Sequence, residues 1–264
     1  MSPFKTSAKV AVVTGATSGI GRAVALAFAS KNLSVAINGF GSESEIEQVL
    51  KDLKEVGAKE AIHVPTDMSR VTEVEHFINT VTDKLGSIDI LVNNAGIQYT
   101  ALVEDFPVER WDQVISINLS AAFHTMRMTL PQMKKNNWGR IINIASVHGL
   151  VASAQKAAYV AAKHGIVGLT KVVALECAET GITCNAVCPG WVETPLVEKQ
   201  VEAISRSEAI SLADARHRLI SEKQPSNRFV SLDELGALCL YLTSDLAASI
   251  TGASMPIDGG WTAR

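Results

Sequence analysis

The chain has 264 residues, of which 47% are hydrophobic and 19% charged, and these proportions exclude a disordered or fibrous protein. Lys and Arg number 24 against 27 Asp and Glu, giving a net charge of −3. No basic run offers the row of cations that a phosphate backbone needs, so we expect no nucleic-acid partner.

Seven short runs predict the strands of a buried parallel sheet. Each is apolar, most are rich in β-branched residues, and helix-period segments separate the first six. The predicted strands are residues 9–14, 34–38, 61–65, 88–94, 140–146, 183–189 and about 254–257.

The segments between these strands predict helices, and the alternation of strand and helix predicts an α/β fold with a doubly wound sheet. A later helix is predicted to begin at Ser231, because Ser231 and Glu234 have the spacing of a capping box. The other predicted helices are residues 20–31, 43–56, 71–85, 111–135 and 159–180.

Residues 193–224 are polar and helix-prone but contain no predicted strand. They follow the carboxyl end of a strand, where a mobile lid over a substrate would lie. No linker or repeat divides the sequence, so we predict one catalytic domain over residues 1–264 with this lid inserted.

The N-terminal segment lacks the apolar core of a signal peptide, and no apolar stretch reaches the roughly 18 residues of a membrane helix. We therefore expect a cytoplasmic protein with no membrane partner. The four cysteines form no CxxC pair and are expected in the core. The six histidines form no HxxxH pattern, so we predict no catalytic metal.

The first strand runs directly into a glycine-rich turn with Gly15, Gly19 and Gly21, and a helix follows. Such a turn lets a pyrophosphate approach the helix N-terminus, where unpaired N–H groups favour an anion. An ordinary strand-to-helix turn is the alternative, and the placement between strand and helix favours the dinucleotide site.

The end of the second strand indicates which dinucleotide binds. Residues 38–41 read Asn-Gly-Phe-Gly, without the acid that holds ribose hydroxyls in most NAD-binding folds. Neither Thr17, Ser18 nor Phe40 supplies a cation for a 2′-phosphate, so we expect NAD rather than NADP.

Two further strand ends carry polar residues. Asp67 follows the third strand and is placed to accept from the adenine amino group, although a helix N-cap is an open alternative. Residues 93–96, Asn-Asn-Ala-Gly, end the fourth strand, and small residues suit a backbone that passes close to a cofactor.

Tyr159 and Lys163 lie four residues apart on one predicted helix and therefore share a face. A cation beside a phenol lowers its pKa from about 10 and makes it a general base. Ser146 ends the fifth strand, where its hydroxyl could hold a substrate oxygen. A solvated helical pair is the alternative for Tyr159 and Lys163 taken alone.

Together these residues resemble the short-chain dehydrogenase/reductase family over nearly the whole chain. The matching segments are residues 14–21, 93–96, Asn118, Ser146, Tyr159 with Lys163, and Pro189-Gly190 followed by Thr194. The resemblance implies a single-domain Rossmann-like fold with a seven-stranded parallel sheet, and usually a homotetramer. It also implies a catalytic tetrad of Asn118, Ser146, Tyr159 and Lys163, with Asn118 supporting a water that links Lys163 to solvent.

The resemblance implies a larger set of cofactor contacts along the carboxyl edge of the sheet, with Thr194 orienting the nicotinamide carboxamide. The expected NAD-binding residues are Thr14, Gly15, Thr17, Ser18, Gly19, Ile20, Gly21, Phe40, Asp67, Met68, Asn94, Ala95, Gly96, Tyr159, Lys163, Pro189, Gly190, Val192 and Thr194.

Residues around the tetrad indicate a small carboxylate as substrate. Gln98, His148, Lys156 and Gln200 offer one full cation, one partial cation and two amides. Trp191 and Trp261 could limit the length of the pocket. Each also has a plain alternative, as a surface, loop or core residue.

This set is similar to that of family members which oxidise (R)-3-hydroxybutyrate to acetoacetate with NAD. The expected substrate contacts are therefore Gln98, Ser146, His148, Lys156, Tyr159, Trp191, Gln200 and Trp261. Two rival functions stay open: an NADPH-dependent reductase of acetoacetyl (3-oxoacyl) thioesters, and a non-catalytic dinucleotide-sensing protein.

Overall fold

The computed structural model describes residues 9–263, with the side chain of residue 196 left aside. Seven parallel strands form one sheet in the order β3-β2-β1-β4-β5-β6-β7, which confirms the predicted fold class. The strand order reverses between β1 and β4, and ligands bind at such a reversal. The strands are β1 Val10–Val13, β2 Ser34–Ile37, β3 Ala61–His63, β4 Ile88–Asn93, β5 Gly139–Ile144, β6 Ile182–Pro189 and β7 Ser254–Ile257.

Helices cover both faces of the sheet. Those predicted over residues 43–56 and 71–85 have the expected bounds, and the capping box of Ser231 with Glu234 is formed. The helices are α1 Gly19–Ala29, α2 Glu43–Val56, α3 Val71–Leu85, α4 Val108–Ile115, α5 Ala121–Lys135, α6 Ala157–Glu176, α7 Pro195–Glu208, α8 Leu212–Ser221 and α9 Leu232–Thr243.

Residues 111–135 are helical throughout, as predicted, but they do not form one regular α-helix. A π-helical turn, Ser116–Ser120, separates α4 from α5. Asn118 lies buried in this turn, where its side chain bonds both backbone groups of Ile97. A π turn inserts an extra residue and rotates the side chains around it, which here brings the Asn118 amide onto the loop after β4.

The core has one part on each face of the sheet. Phe28 and Leu53 are fully buried on the face covered by α1, α2 and α9, and Phe77 and Met126 on the face covered by α3, α5 and α6. Full burial of one such side chain stabilises the fold by about 2–3 kcal/mol. Strands buried from both sides are what their uninterrupted apolar sequences predict.

The prediction that no apolar stretch reaches the length of a membrane helix is wrong for α6. It has 20 residues and is apolar enough to cross a membrane by length and composition. It nevertheless packs against β5 and β6 through buried residues such as Ala162 and Ile166. Helices that lie on a buried sheet are apolar for the same reason as membrane helices, since both lose contact with water.

The predicted lid folds as α7 and α8, which pack on each other. Val197, Val201 and Ala215 form a small apolar cluster apart from the two main parts of the core. Arg216 forms ion pairs with Glu193 and Glu198 across the same segment. The segment thus holds together by its own contacts, as a lid that moves as a unit would.

All four cysteines are buried without forming disulfides, as expected of core residues. Cys184 and Cys188 lie within β6, whose eight residues are all buried. Across residues 9–263 no group of three or more His, Cys, Asp or Glu side chains could hold a metal ion.

Candidate active site

A cleft of about 520 Å³ opens at the carboxyl edge of the sheet. It is bordered by the glycine-rich turn after β1, the ends of β4 and β5, the first turns of α6 and the segment from β6 to α7. Because these ends meet at the point where the strand order reverses, residues far apart in sequence share one cavity.

The glycine-rich turn and the segment after β4 lock together. Thr14 Oγ1 accepts the N–H groups of Asn94 and Ala95 at 2.9 and 3.0 Å. A Cβ atom at Gly15 would lie 2.8 Å from Ala95 Cα, and one at Gly21 would lie 2.4 Å from Asn94 Nδ2. Both glycines are therefore required by close packing, and Gly15 also by its φ of +63°.

The N-terminus of α1 faces the cleft and suits a pyrophosphate. Ser18 precedes the helix without capping it through its side chain, and the first turn contains no acidic residue. The first N–H groups of a helix need partners, and a phosphate oxygen supplies both the acceptor and the matching charge. The residues present therefore fit a dinucleotide.

The loop after β2 is held by three contacts. Asn38 Oδ1 accepts the Gly15 N–H at 2.8 Å, and Thr17 Oγ1 donates to the Phe40 carbonyl at 2.9 Å. His63 Nε2 lies 3.0 Å from the Gly39 carbonyl. Phe40 borders the cleft with 78% of its surface exposed, and the described loop, residues 38–42, contains no Lys or Arg.

Asp67 does not border the cleft, although its neighbours Thr66 and Met68 do. Its carboxylate accepts the backbone N–H and the hydroxyl of Ser69, and these bonds lower the pKa of Asp67. The residue that precedes α3 is Arg70, so Asp67 is not the helix N-cap that was the alternative. Its contact with adenine stays a prediction.

Three of the four predicted catalytic residues meet at the cleft. Ser146, Tyr159 and Lys163 all line it, and the Lys163 ammonium lies 5.6 Å from the centre of the Tyr159 ring. Lys163 Nζ donates to the Ile144 carbonyl at 2.7 Å, which fixes the lysine beneath the tyrosine. Asn118 lies one layer behind, with its amide bonded to Ile97.

The pKa shifts in this group differ from the expectation. Burial raises the pKa of Tyr159, and the Ser146 hydroxyl offsets this only in part. Burial also lowers the pKa of Lys163 to about 8. The expected lowering of the tyrosine pKa by Lys163 is not found in the protein alone, because desolvation disfavours the charged form of both groups.

Beyond Tyr159, four side chains form what we call the substrate-end cluster: His148, Lys156, Trp191 and Trp261. The His148 ring lies 5.9 Å from the Tyr159 ring and 5.5 Å from the Trp261 ring. The Trp191 and Trp261 rings are 5.9 Å apart, and Lys156 Nζ lies 5.7 Å from the Trp191 ring. These four side chains do not line the cleft; they adjoin it where His148 contacts Tyr159 and extend from there to the Lys156 ammonium.

His148 is neutral rather than the partial cation expected. Burial, reinforced by Lys156, His164 and Lys223, lowers the pKa of His148 to about 4. Its Nε2 lies 2.9 Å from Ser153 Oγ and its Nδ1 lies 3.4 Å from Ser146 Oγ. Burial and Lys223 also lower the pKa of Lys156. Lys223 is thus a second cation near this end, which the motifs did not indicate.

The structure brings most of the remaining predicted residues to the cleft. Gln98 lines it, and Thr194 caps α7 by accepting the Val197 N–H. Gln200 lies half-buried on α7, and within residues 9–263 no hydrogen bond joins it to the substrate-end cluster. The other predicted cofactor residues that line the cleft are Gly15, Thr17, Ser18, Gly19, Ile20, Phe40, Met68, Asn94, Ala95, Gly96, Pro189, Gly190 and Val192.

Sequence reasoning missed several residues of the cleft. Asn38 and Thr66 follow β2 and β3, so their position at the carboxyl edge was a signal that could have found them. The others carry no distinctive chemistry. They are Gly39, Ile97, Ile117, Ile144, Ala145 and Pro195.

Residues 9–205 match the family model described as short chain dehydrogenase. The chain belongs to this family. Two relatives described as D-beta-hydroxybutyrate dehydrogenase, from Cupriavidus necator and Rhizobium meliloti, are 55% and 50% identical. The alignments cover 97% of this chain in both cases, and 98% and 99% of the relatives.

Among solved structures, an actinorhodin polyketide ketoreductase with NADPH is similar, with a TM-score of 0.91 and 37% sequence identity. The superposition covers 98% of this chain and 99% of the other. The protein is therefore an oxidoreductase of this family, with a Rossmann-like fold of the kind that binds NAD or NADP.

Proposed function

We propose that the protein oxidises (R)-3-hydroxybutyrate to acetoacetate with NAD, reversibly. The observation that carries the proposal is the substrate-end cluster, which places Lys156 and two tryptophans next to Tyr159 through His148. A cation at a fixed distance from the reacting hydroxyl selects a short acid. The names of the two bacterial relatives support the same substrate.

Tyr159 removes the proton from the substrate hydroxyl. Ser146, at the exit of β5, holds the same oxygen, because a hydroxyl can donate to an alkoxide as it forms. Burial disfavours the phenolate, and the Ser146 hydroxyl offsets this in part. Lys163 lies beneath the phenol ring, with its ammonium 5.6 Å from the ring centre. Its bond to the Ile144 carbonyl keeps the ammonium at that place.

The cofactor would be held by the glycine-rich turn, the N-terminus of α1 and the segment from Pro189 to Thr194. A nicotinamide cofactor held there would supply the hydride acceptor for the oxidation. Thr194 lies beside the turn, since a Cβ added at Gly19 would be 3.8 Å from its methyl group. It is therefore placed to orient the carboxamide.

The substrate carboxylate would bind to Lys156, with Gln98 and Gln200 as amide donors. His148, being neutral, acts as a hydrogen-bonding residue and not as a counter-ion. Closure of the lid would bring Gln200 to the carboxylate, because α7 starts at the edge of the cleft. Trp191 and Trp261 then limit the chain length of the acid.

The loop after β2 supports the proposal of NAD rather than NADP. The segment bordering the adenosine end presents the exposed Phe40 and offers no cation for a 2′-phosphate. A phosphate in such a position is normally held by an Arg. The thioester reductase is less consistent with the same site, because a neutral thioester has no negative charge for Lys156 to bind. A protein that only senses the dinucleotide would not need the combination of Ser146, Tyr159 and Lys163.

The test is an absorbance assay at the reduced-nicotinamide band. Its substrates are (R)- and (S)-3-hydroxybutyrate, longer 3-hydroxy acids, neutral secondary alcohols and, in reverse, acetoacetate and its thioester, with both cofactors. We expect the highest kcat/KM with (R)-3-hydroxybutyrate and NAD. Higher kcat/KM with the thioester and NADPH would support the rival reductase, and binding without turnover would support the sensing protein.

We further propose a cytoplasmic homotetramer. Four buried thiols without disulfides fit a reducing compartment. Phe123, Val172 and Leu175 are large apolar residues left exposed on α5 and α6, as on surfaces that subunits cover. Light scattering of the purified protein should give four times the mass of one chain.

A further inference from the structure

Gln224 is a fully buried amide near the site that the proposed reaction does not use. It lies just after α8, where its N–H bonds the Ile220 carbonyl at 2.8 Å, and its exposed fraction is 0%. Glutamine is mostly found at protein surfaces, so complete burial needs hydrogen-bond partners.

Both ends of the Gln224 amide have such partners. Its Oε1 accepts the backbone N–H of Trp191 at 2.9 Å, and its Nε2 donates to the Arg228 carbonyl. The side chain thus joins the segment after β6 to the segment that returns from the lid. Next to this link, Val192 pairs with Val230, and the Val230 N–H bonds the Trp191 carbonyl at 2.8 Å.

Two glycines make room for this side chain. A Cβ at Gly190 would lie 2.6 Å from Gln224 Oε1, and a Cβ at Gly259 would lie 2.7 Å from its Cγ. Gly259 belongs to the turn after β7 that leads to Trp261. Gln224 therefore packs between the backbone segments that carry both tryptophans of the substrate-end cluster.

We propose that Gln224 is a positioning residue that sets the size of the substrate pocket and its affinity for the acid. Gln224 acts through Trp191. Its side chain accepts the Trp191 N–H, while the Val230 N–H binds the Trp191 carbonyl. This inference rests on the proposed function, because it assigns the substrate-end cluster to the substrate. Gln224 itself contacts neither substrate nor cofactor in this scheme.

The amide chemistry separates a positioning role from simple filling of space. Gln224→Met keeps the length of the side chain but loses the acceptor for Trp191 and the donor to Arg228. Gln224→Glu keeps the acceptor, and regains the donor only while its carboxyl is protonated. Burial raises the pKa of a carboxyl group, so the carboxyl of this variant loses its proton, and with it the donor to Arg228, as pH rises.

The first experiment compares wild type and Gln224→Met with Gln48→Met, a change at an exposed glutamine on α2. We expect Gln224→Met to raise KM for (R)-3-hydroxybutyrate about tenfold, with kcat and the Kd for NADH within about twofold, because the two hydrogen bonds that hold the Trp191 and Arg228 segments are lost. Selectivity against 3-hydroxyhexanoate should fall. Gln48→Met should match wild type. Unchanged KM and selectivity in Gln224→Met would overturn the proposal. A fall in kcat and in NADH affinity as large as the rise in KM, together with a lower Tm, would also overturn it, because it would indicate general destabilisation.

The second experiment does not depend on Gln224→Met folding. For Gln224→Glu, the ratio of its KM to the wild-type KM should be near 1 at pH 6 and rise about tenfold by pH 9. A ratio that stays near 1 from pH 6 to pH 9 would overturn the proposal, because it would show that the hydrogen bond to Arg228 is irrelevant.

A third readout separates this inference from the proposed function. Near-ultraviolet circular dichroism reports the Trp191–Trp261 pair without any substrate. If wild type fails to oxidise 3-hydroxybutyrate, the function fails, but a changed tryptophan signal in Gln224→Met and not in Gln48→Met still supports positioning. An unchanged signal in Gln224→Met counts against it.

Discussion

The two ends of the cleft are built from different parts of the chain. The cofactor end consists mostly of backbone, with glycines at 15 and 21 fitted against Asn94 and Ala95 and held by Thr14. The substrate end consists of side chains, with His148, Lys156, Trp191 and Trp261 arriving from four separate segments. Backbone recognition is fixed by local turns, whereas side-chain recognition depends on how distant segments pack.

The comparison predicts that changes at the junction of the two ends affect chemistry without affecting cofactor binding. Tyr159→Phe keeps the ring and removes the hydroxyl, so kcat should fall by about 10²–10⁴-fold, the usual contribution of a general base. NADH binding, measured by fluorescence titration, should stay within about twofold. Retained turnover would contradict the assignment of the base.

A change at the substrate end should discriminate between acids and neutral alcohols. Lys156→Met should lower kcat/KM for 3-hydroxybutyrate about ten- to hundredfold, because a charge-assisted hydrogen bond is worth about 1.5–3 kcal/mol. Turnover of a neutral secondary alcohol should change little. Lys171→Met, at an exposed lysine on α6, the helix that Lys156 precedes, is the matched control. An equal loss with acid and alcohol would mean that Lys156 does not bind the carboxylate.

A change at the cofactor end should alter the choice of dinucleotide and leave the acid unaffected. Phe40→Arg places a cation at the edge of the cleft, and the ratio of kcat/KM with NADP to that with NAD should rise about tenfold. KM for 3-hydroxybutyrate at saturating cofactor should not change. Phe40→Leu controls for loss of the ring. An unchanged ratio would place the 2′-phosphate elsewhere.

The smallest expected effect concerns stability at the substrate end. The pKa of His148 is about 4 in the fold and about 6.5 in the unfolded chain, so between these values the unfolded chain binds more protons. Stability should therefore fall as pH decreases, by roughly 2 kcal/mol from pH 7.5 to pH 5 through this residue.

Urea denaturation at the two pH values measures this loss. His148→Gln removes the group, and should reduce the difference between pH 7.5 and pH 5 by that amount. His217→Gln, at an exposed histidine on α8, should leave the difference unchanged. A wild-type loss no larger than that of His148→Gln would argue that His148 is charged in the fold.

The sequence was most informative where one short segment contains the whole structural reason. The turn at residues 14–21, the capping box of Ser231 with Glu234 and the Tyr159–Lys163 pair on α6 are of this kind. Helix periodicity predicted the helical course of residues 111–135 but not the π turn within it, where Asn118 contacts Ile97 and which no local pattern indicates.

The pKa shifts at the site, and the buried residue proposed to support it, could be found only in the folded structure. Neither the neutral state of His148 nor the raised pKa of Tyr159 follows from residue type, since burial causes both shifts. The burial of Gln224 could not be predicted from the sequence, because a glutamine in a polar segment is expected at the surface.

By itself, the sequence determined the α/β class, the order of the elements and the pairing of Tyr159 with Lys163 on one helix face, because these depend on periodicity and spacing within single segments. Tertiary structure decided which side chains lose water, how Trp191 and Trp261 meet, and that Gln224 supports them. Those properties arise from segments far apart in the chain, and desolvation and packing exist only once these segments have come together.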